Sequence, residues 1–374
     1  MSGRCKYILL LICSVIALGV YSQDARIAHP FLWYGYYNPA YCGSEGLFKC
    51  DLGAQINYTH KPSMFIDGHF SAEIGFGVKN ATLGFGLTAN NEYQGNGLLN
   101  VATLNPAFSV GLKLYDRNGV YSTLRVGISG DVSSSHINKD KMVLGDQLDV
   151  YYGKVLPESA ELKYMNNETV WSGDMSAGIF GQTTISSTVY KMPIIINYGF
   201  SVAHLIGFNN PSFYSSLRSV YTPQLYYRRF AVQLEYSHPY ISRRNTHMYF
   251  TGYGIYEYQG GMNDIQLGFV AKIQRFMGGL GLKVEKFRNY TVTNFVLHFV
   301  YSQPLTQYSL MRIAYSFETP VTQGSISNTT IHSISLHFVV DYQSLIRKRN
   351  KCKDYTHPSD AAWYEMNNTF PNGR

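Results

Sequence analysis

Charged side chains are scarce in this chain. They make up 15% of its 374 residues, against roughly 25% in ordinary soluble domains. Aromatic side chains also reach 15%, and Gly occupies 34 positions. Few charges with many Tyr, Phe and Gly residues suit a wall with lipid on one side and water on the other. A soluble β-sandwich shares part of this profile, so composition alone leaves both classes open.

Long apolar runs are also missing after the N-terminus, whereas a membrane helix needs roughly 18 or more apolar residues in succession. The nearest case, residues 194–208, is interrupted by Asn197, Gly199, Ser201 and His204 and alternates between apolar and polar positions. Only helices and closed barrels satisfy every backbone polar group inside hydrocarbon. If the chain crosses a membrane, we therefore expect it to do so as a barrel.

Cysteine is too sparse for a disulfide scaffold. Three of the five Cys residues lie beyond the N-terminal region, at Cys42, Cys50 and Cys352. Export makes a disulfide between the first two feasible, although structural or free thiols are the preferred interpretation. No Cys spacing matches a metal site. The His residues are interpreted as lumen-facing polar groups, and His332 and His337 fall on opposite faces of a strand because they are five residues apart.

The N-terminus itself carries an export pattern. Arg4 and Lys6 precede an apolar run that is too short for a spanning helix, and small residues follow it. This order predicts a secretory signal peptide over residues 1–22. We place cleavage after Ser22, with cleavage after Gly19 as the alternative.

Alternation of apolar and polar residues is the main structural signal. In residues 48–58 every even position is apolar or amphipathic, and every odd position is polar or Gly. Residues 64–74, 81–87 and 104–114 repeat this pattern. A two-residue period sends successive side chains to opposite faces, and such segments of about ten residues are typical of barrel strands. Sandwich strands average nearer five or six residues, so the barrel is favoured.

Turn residues divide the chain into candidate strands. Asp116-Arg117-Asn118-Gly119 predicts a tight turn, because Asn-Gly tolerates positive φ. We predict an all-β, transmembrane antiparallel β-barrel of about 14 strands over residues 47–342. Twelve is the alternative, since the count depends on how residues 213–235 are divided and single-chain bacterial barrels have even counts. The predicted strands span residues 48–58, 64–74, 81–87, 104–114, 120–132, 170–182, 192–206, 221–237, 246–258, 263–275, 279–287, 291–301, 308–317 and 331–342.

Three further segments lie outside the predicted strands. Residues 23–46 form a short N-terminal segment. Residues 138–169 are polar, contain Pro157 and predict a long extracellular loop. Residues 343–374 are basic and then polar, which predicts a periplasmic tail.

The tail carries a compact basic cluster. Clustered positive charge steers association, so the cluster is a candidate contact for an acidic periplasmic partner. A solvated tail that helps to orient the barrel is the alternative. The cluster consists of Arg347, Lys348, Arg349, Lys351 and Lys353.

Catalytic motifs are not found in the sequence. It has no Gly-rich phosphate loop ending in Lys-Ser or Lys-Thr, and Gly199-Phe-Ser201-Val-Ala203 lacks the final Gly of a nucleophile elbow. We therefore predict a non-enzymatic protein with no catalytic residues, no metal site and no cofactor. Because the chain is exported, nucleic acid is not expected as a partner.

Several short motifs stand in a characteristic order. After Ser22-Gln23-Asp24, residues 37–43 read Tyr-Asn-Pro-Ala-Tyr-Cys-Gly, and residues 198–205 are followed by Asn210-Pro211. Residues 312–318 and 331–336 form a closing pair, and Lys351-Cys352 ends the basic stretch. Together these motifs resemble the PorP/SprF family of Bacteroidetes outer-membrane proteins, which is linked to type IX secretion and gliding motility. The chain departs from the family at Glu318, where Asp is usual, and in the residues 328–332.

The resemblance implies a non-enzymatic β-barrel of the bacterial outer membrane. Its implied partners are periplasmic and outer-membrane type IX secretion components and the lipid bilayer, with a secreted surface adhesin as a further candidate. A passive or substrate-specific transporter and a soluble secreted β-sandwich remain as alternatives. The residues carried over are structural markers: Asn38, Pro39, Ala40, Gly43 and Cys352.

Overall fold

The computed structural model describes most of the chain between residues 30 and 342. The described residues are 30–58, 65–78, 81–95, 98–149, 152–154, 159–160, 168–186, 192–206, 227–241, 247–287, 290–306, 308–321 and 330–342. The predicted signal peptide, the basic cluster and Cys352 lie outside these ranges.

Fourteen of the described strands close into one antiparallel barrel, which confirms the preferred strand count. Each barrel strand pairs with its neighbours along the chain, and two short strands, β6 and β7, form a separate ribbon. The strands are β1 (Phe48–Tyr58), β2 (Phe65–Val78), β3 (Ala81–Gln94), β4 (Leu99–Arg117), β5 (Val120–Ile137), β6 (Leu148–Asp149), β7 (Gly153–Lys154), β8 (Thr169–Ser186), β9 (Pro193–Ala203), β10 (Arg229–Ile241), β11 (His247–Gln259), β12 (Met262–Ile273), β13 (Phe276–Phe287), β14 (Tyr290–Thr306), β15 (Ser309–Pro320) and β16 (Thr330–Val340).

The first and last strands complete the barrel. β1 pairs with β16 along its full length, from Phe48 opposite Val340 to Tyr58 opposite Thr330. Closure leaves the sheet without a free edge, which is the condition for a sheet to cross hydrocarbon. The alternative of a soluble β-sandwich is therefore wrong. No helix in the described part of the chain is long and apolar enough to cross a membrane.

The two faces of the wall follow the predicted alternation. On β1, Asp51 and Gln55 face the lumen and are only 6% and 4% exposed, whereas Leu52 on the opposite face is 58% exposed. This is the reverse of a soluble core, since polar side chains are inside and apolar ones are outside. The outer face is therefore built to contact lipid.

Several strands run beyond their predicted ends. β3 continues to Gln94 rather than Leu87, and β4 spans Leu99–Arg117 rather than residues 104–114. Alternation marks only the part of a strand whose outer face is apolar, while backbone pairing continues through polar residues such as Asn91. β10 begins at Arg229 and extends past its predicted end at residue 237; residues 221–226 lie outside the described ranges.

The two ends of the barrel differ. An even number of strands brings the start of β1 and the end of β16 to the same end, here called the turn end. β4 and β5 meet there through Asn118 and Gly119, whose φ values of 54° and 76° are those of the predicted tight turn. The opposite end, here called the loop end, carries the β5–β8 connection with its short β6–β7 ribbon.

The lipid-facing assignment predicts a depth-dependent cost of charge. Leu267, midway along β12 and 58% exposed, is expected to lose about 2–4 kcal/mol of folding free energy when replaced by Arg. Asn263, on the same face near the loop end, is the matched control, and its replacement by Arg is expected to cost about 0–1 kcal/mol. Denaturant unfolding from lipid bilayers measures both. Equal costs at the two positions would contradict the assignment.

Candidate functional site in the barrel lumen

The candidate site is formed by the segment that precedes β1. Residues 30–47, here called the plug segment, lie inside the barrel and contain helix α1 (Tyr34–Tyr37) and a 3-10 helix (Pro39–Tyr41). Most of its side chains are buried, and its contacts reach wall strands on opposite sides of the lumen. Buried members include Trp33, Tyr34, Tyr37, Asn38, Ala40, Tyr41, Cys42 and Leu47.

Asn38 organises the segment locally and ties it to the wall. Its Oδ1 accepts a hydrogen bond of 2.9 Å from the backbone N–H of Ala40, which caps the 3-10 helix. Pro39 occupies the first helical position, where its fixed φ suits the turn and its missing N–H costs nothing. The Nδ2 of Asn38 donates to the carbonyls of Ile179 on β8 and Phe200 on β9, at 2.9 and 3.4 Å.

Arg125 on β5 binds the same turn of the segment from the barrel wall. Its guanidinium donates to the carbonyl of Ala40 at 3.2 Å and to that of Cys42 at 3.0 Å. It also donates to the hydroxyls of Thr82 and Ser109 on the wall. Arg125 is 2% exposed, and no ion pair joins it to a described carboxylate. The plug carbonyls and the nearby Glu73 carboxylate are among the groups that compensate its buried charge, and the carbonyls suit the planar donor fork of Arg.

Two further anchors lie on either side of this turn. The Ser201 hydroxyl donates to the carbonyl of Tyr37 at 2.6 Å, and the backbone N–H of Gly43 donates to the Glu73 carboxylate at 3.0 Å. Ser201 belongs to the fragment that resembled a nucleophile elbow. In the structure this buried serine is an anchor for the plug segment.

Glycines in the wall allow close backbone approach. A Cβ on Gly127 would lie 2.5 Å from the Cα of Ala40, and a Cβ on Gly75 would lie 2.9 Å from the Cα of Gly46. Both distances are too short for a side chain. Gly43 itself has φ of +65°, a conformation that favours glycine. The wall and the segment thus meet backbone to backbone.

Aromatic rings form the apolar part of the site. Tyr34, Tyr37, Ala40 and Tyr41 of the segment cluster with Phe180 and Ile255 of the wall. The Tyr41 and Phe180 ring centroids are 5.0 Å apart. Nearer the N-terminal end of the segment, the ring centroids of Phe31 and His298 are 5.1 Å apart, and those of Trp33 and His337 are 5.4 Å apart.

Ion pairs and a buried thiol lie at the end of the plug segment that is nearest β1. Lys49 pairs with Glu45 of the segment and with Glu73 on β2, the latter at 3.4 Å. Burial raises the pKa of the Cys42 thiol, and the Glu73 carboxylate raises it further. Because the thiolate is the reactive form, Cys42 is unreactive while the segment is seated. Cys42 and Cys50 are both free thiols in the structure, so the alternative of a disulfide between them is not realised.

The sequence-selected residues divide into two groups. Asn38, Pro39, Ala40 and Gly43 all lie in the plug segment and contact or closely approach the wall. Cys352 and the five basic residues of the tail fall outside the described residues. Within the described ranges, no group of three or more His, Cys, Asp or Glu residues is arranged to hold a metal ion.

Sequence reasoning missed the wall side of the site and misplaced histidines, among them His238, which lies beside Tyr236 on the outer face of β10. Arg125 and Ser201 stood at lumen-facing positions of alternating strands, but nothing in a single strand marks the partner across the lumen. His298 and His337 are buried lumenal groups as expected. His332 instead bonds to Tyr315 on the outer face, at 2.8 Å, so the lumen-facing interpretation is wrong for His332.

Solved structures with similar folds share little sequence with this chain. CdiB from Acinetobacter baumannii is 8% identical, with 78% of this chain and 60% of CdiB covered and a TM-score of 0.42. This chain thus spans about three fifths of the length of CdiB. A FadL homologue from Pseudomonas aeruginosa is 10% identical, with 82% and 93% covered and a TM-score of 0.44. OprB from Pseudomonas putida is 9% identical, with 85% and 100% covered and a TM-score of 0.34.

Sequence comparison gives a sharper result. No curated protein matches the chain significantly. One family model, described as type IX secretion system membrane protein PorP/SprF, matches residues 20–338. The match takes in the plug segment together with nearly the whole barrel, and it agrees with the resemblance seen in the motifs. The chain therefore belongs to the PorP/SprF family of type IX secretion system membrane proteins.

Proposed function

We propose that the protein is a non-enzymatic scaffold of the type IX secretion machinery, delivered to the outer membrane by a cleaved signal peptide. It binds protein partners at the two ends of a plugged barrel. The observation that carries this proposal is the plug segment, whose family-motif residues Asn38 and Ala40 are hydrogen-bonded across the lumen. A lumen occupied in this way suits a docking platform.

A passive porin is the weaker candidate. Such a barrel needs an open aqueous path, and porin interiors are water-filled. Here Arg125, Ser201 and Glu73 hold a folded segment inside the lumen. This favours partner binding over solute flux as the principal activity.

The two ends are assigned to different partners. Outer-membrane barrels have short turns on the periplasmic side and longer loops outside, so the turn end is assigned to the periplasm. The backbone N–H of Asp341 bonds to the carbonyl of Tyr308 at this end, so β16 ends there, which supports the proposal of a periplasmic tail. We assign periplasmic secretion components to the tail and a secreted adhesin, with a role in gliding, to the loop end.

Charge reversal in the tail tests the periplasmic contact. Replacing all five residues of the basic cluster by Glu is expected to leave barrel assembly intact and to lower capture of secretion components about tenfold or more, because the steering attraction becomes repulsion. The measurement is quantitative pull-down of the full chain from cross-linked cells. The substituted residues are Arg347, Lys348, Arg349, Lys351 and Lys353.

A matched control reverses basic residues at the other end. Lys139→Glu with Lys141→Glu changes charge in the β5–β8 connection at the loop end, and we expect it to leave periplasmic capture unchanged. Equal capture by the tail variant and the wild type would remove the tail contact. Normal type IX secretion in a strain that lacks the whole protein would remove the proposed function itself.

A further inference from the structure

We propose that the wall of the lumen is a peptide-binding site from which the plug segment departs and to which it returns as a unit. Residues 30–47 would then be a reversible gate rather than a permanent filling. The ligand class is a peptide with an Asn-Pro-Ala turn, and the resident ligand is this chain's own segment. The inference does not depend on which secretion partner binds.

The chemistry of the wall supports exchange with water. Arg125, Ser109 and Ser201, which hold the segment, are polar groups that water can satisfy in its absence. Gln233 is 4% exposed beside Asn38, and neither polar atom of its amide has a hydrogen-bond partner among the described residues. Departure of the segment would expose these polar groups of the wall to water, which can hydrogen-bond to them.

Part of the segment's packing is internal, although its 3-10 helix also lies against β4, β5 and β8. Four of the six residues in its apolar cluster belong to the segment itself, and only Phe180 and Ile255 come from the wall. Asn38 caps the 3-10 helix from within. Among the described residues, the segment joins the wall covalently where it enters β1 at Phe48.

The contact surface lacks interlocking side chains where the two backbones meet. Gly127 and Gly75 present bare backbone to Ala40 and Gly46. Protein interiors are held together by interdigitated side chains, whereas these glycines have no side chain to interdigitate with the segment. At these glycines the two backbones can therefore separate and meet again without repacking, whereas the ring contacts of Phe31, Trp33 and Tyr41 with the wall have to be broken and remade.

A disulfide between the segment and the wall provides the test. A Cβ built on Gly86 of β3 lies 3.6 Å from the Cβ of Cys42, within the spacing of roughly 3.5–4.5 Å that disulfides require. Gly86→Cys, in a full chain that also carries Cys50→Ser and Cys352→Ser, should therefore lock the segment upon oxidation. The matched control adds Cys42→Ser, which removes the bond but keeps the wall substitution.

Bilayer conductance and maleimide labelling of Cys42 both report departure of the segment. In planar bilayers the chain with Cys50→Ser and Cys352→Ser alone, which keeps Gly86, is expected to show intermittent openings. In the lock variant, oxidation is expected to abolish the openings and dithiothreitol to restore them. The control is expected to open under both conditions. With Cys50→Ser and Cys352→Ser alone, maleimide should label Cys42 at least about tenfold more slowly than in unfolded protein, yet to completion, because the thiol reacts only when the segment leaves.

Two results would overturn the inference. If reduced variants never open and Cys42 stays unlabelled over hours in folded protein, the segment is a fixed part of the barrel. If openings persist in the oxidised lock variant, the current passes by another route. Neither result bears on capture of secretion partners, so failure here is distinguishable from failure of the proposed function.

Discussion

Gly127→Val is expected to expel the plug segment and convert the closed barrel into a steadily conducting one. The new Cβ would lie 2.5 Å from both the Cα of Ala40 and the carbonyl carbon of Pro39. Both neighbours are backbone, so neither can rotate away. Overpacking of this kind costs about 1–3 kcal/mol, and about 3 kcal/mol shifts the seated fraction by roughly a hundredfold.

Conductance in planar bilayers and maleimide labelling of Cys42 measure this effect together. The matched control is Gly130→Val, three residues along β5, where an added Cβ meets no heavy atom within 4 Å. It introduces the same residue into the same strand and is expected to leave the barrel closed. Closure of both variants would contradict the assigned contact between Gly127 and Ala40.

Arg125→Met is expected to loosen the segment without a steric clash. The substitution removes the donors that serve the carbonyls of Ala40 and Cys42. The Cys42 carbonyl keeps its hydrogen bond from the Ser109 hydroxyl, so the Ala40 carbonyl is the acceptor left unsatisfied. A buried acceptor without a donor costs about 1–3 kcal/mol, which favours departure of the segment by about fivefold to a hundredfold. Arg125→Lys should recover part of the loss at most, since an ammonium group cannot reproduce the fork.

The labelling rate of Cys42 gives the magnitude for Arg125→Met, and thermal unfolding separates release of the segment from loss of the barrel. Arg117→Met is the control, because Arg117 is an exposed residue at the turn end of β4. Unchanged labelling in Arg125→Met would show that the guanidinium contributes little to retention. That outcome would leave the hydrogen bonds of Asn38, Ser201 and Glu73 and the ring contacts as the interactions that retain the segment.

The barrel itself was predictable because its pattern is local. Asp51 and Leu52 are neighbours in sequence and lie on opposite faces of one wall, and period-two alternation encodes this directly. Strand ends were less accessible. Asn91 and Gln94 continue β3 through backbone pairing with β4, which side-chain hydrophobicity does not record.

The site was predictable only in part. Asn38, Pro39 and Ala40 were selected through resemblance to a family, and an Asn-Pro-Ala sequence does suit a capped turn. Their position in the lumen depends on partners such as Arg125 and Ile179, which are distant in sequence. Which residues face each other across the lumen depends on the closed barrel, so the sequence of a single strand does not predict it.

The placement of the plug anchors also bears on assembly. The seam between β1 and β16 joins the two ends of the barrel sequence, so its contacts close the largest loop in the sheet. The hydrogen-bonded anchors Glu73, Arg125, Ile179 and Ser201 lie on β2, β5, β8 and β9, in the half of the sheet that is synthesised first. The plug segment therefore links strands of this half-sheet that do not all pair with one another, and its contacts favour the curvature that brings β1 to β16.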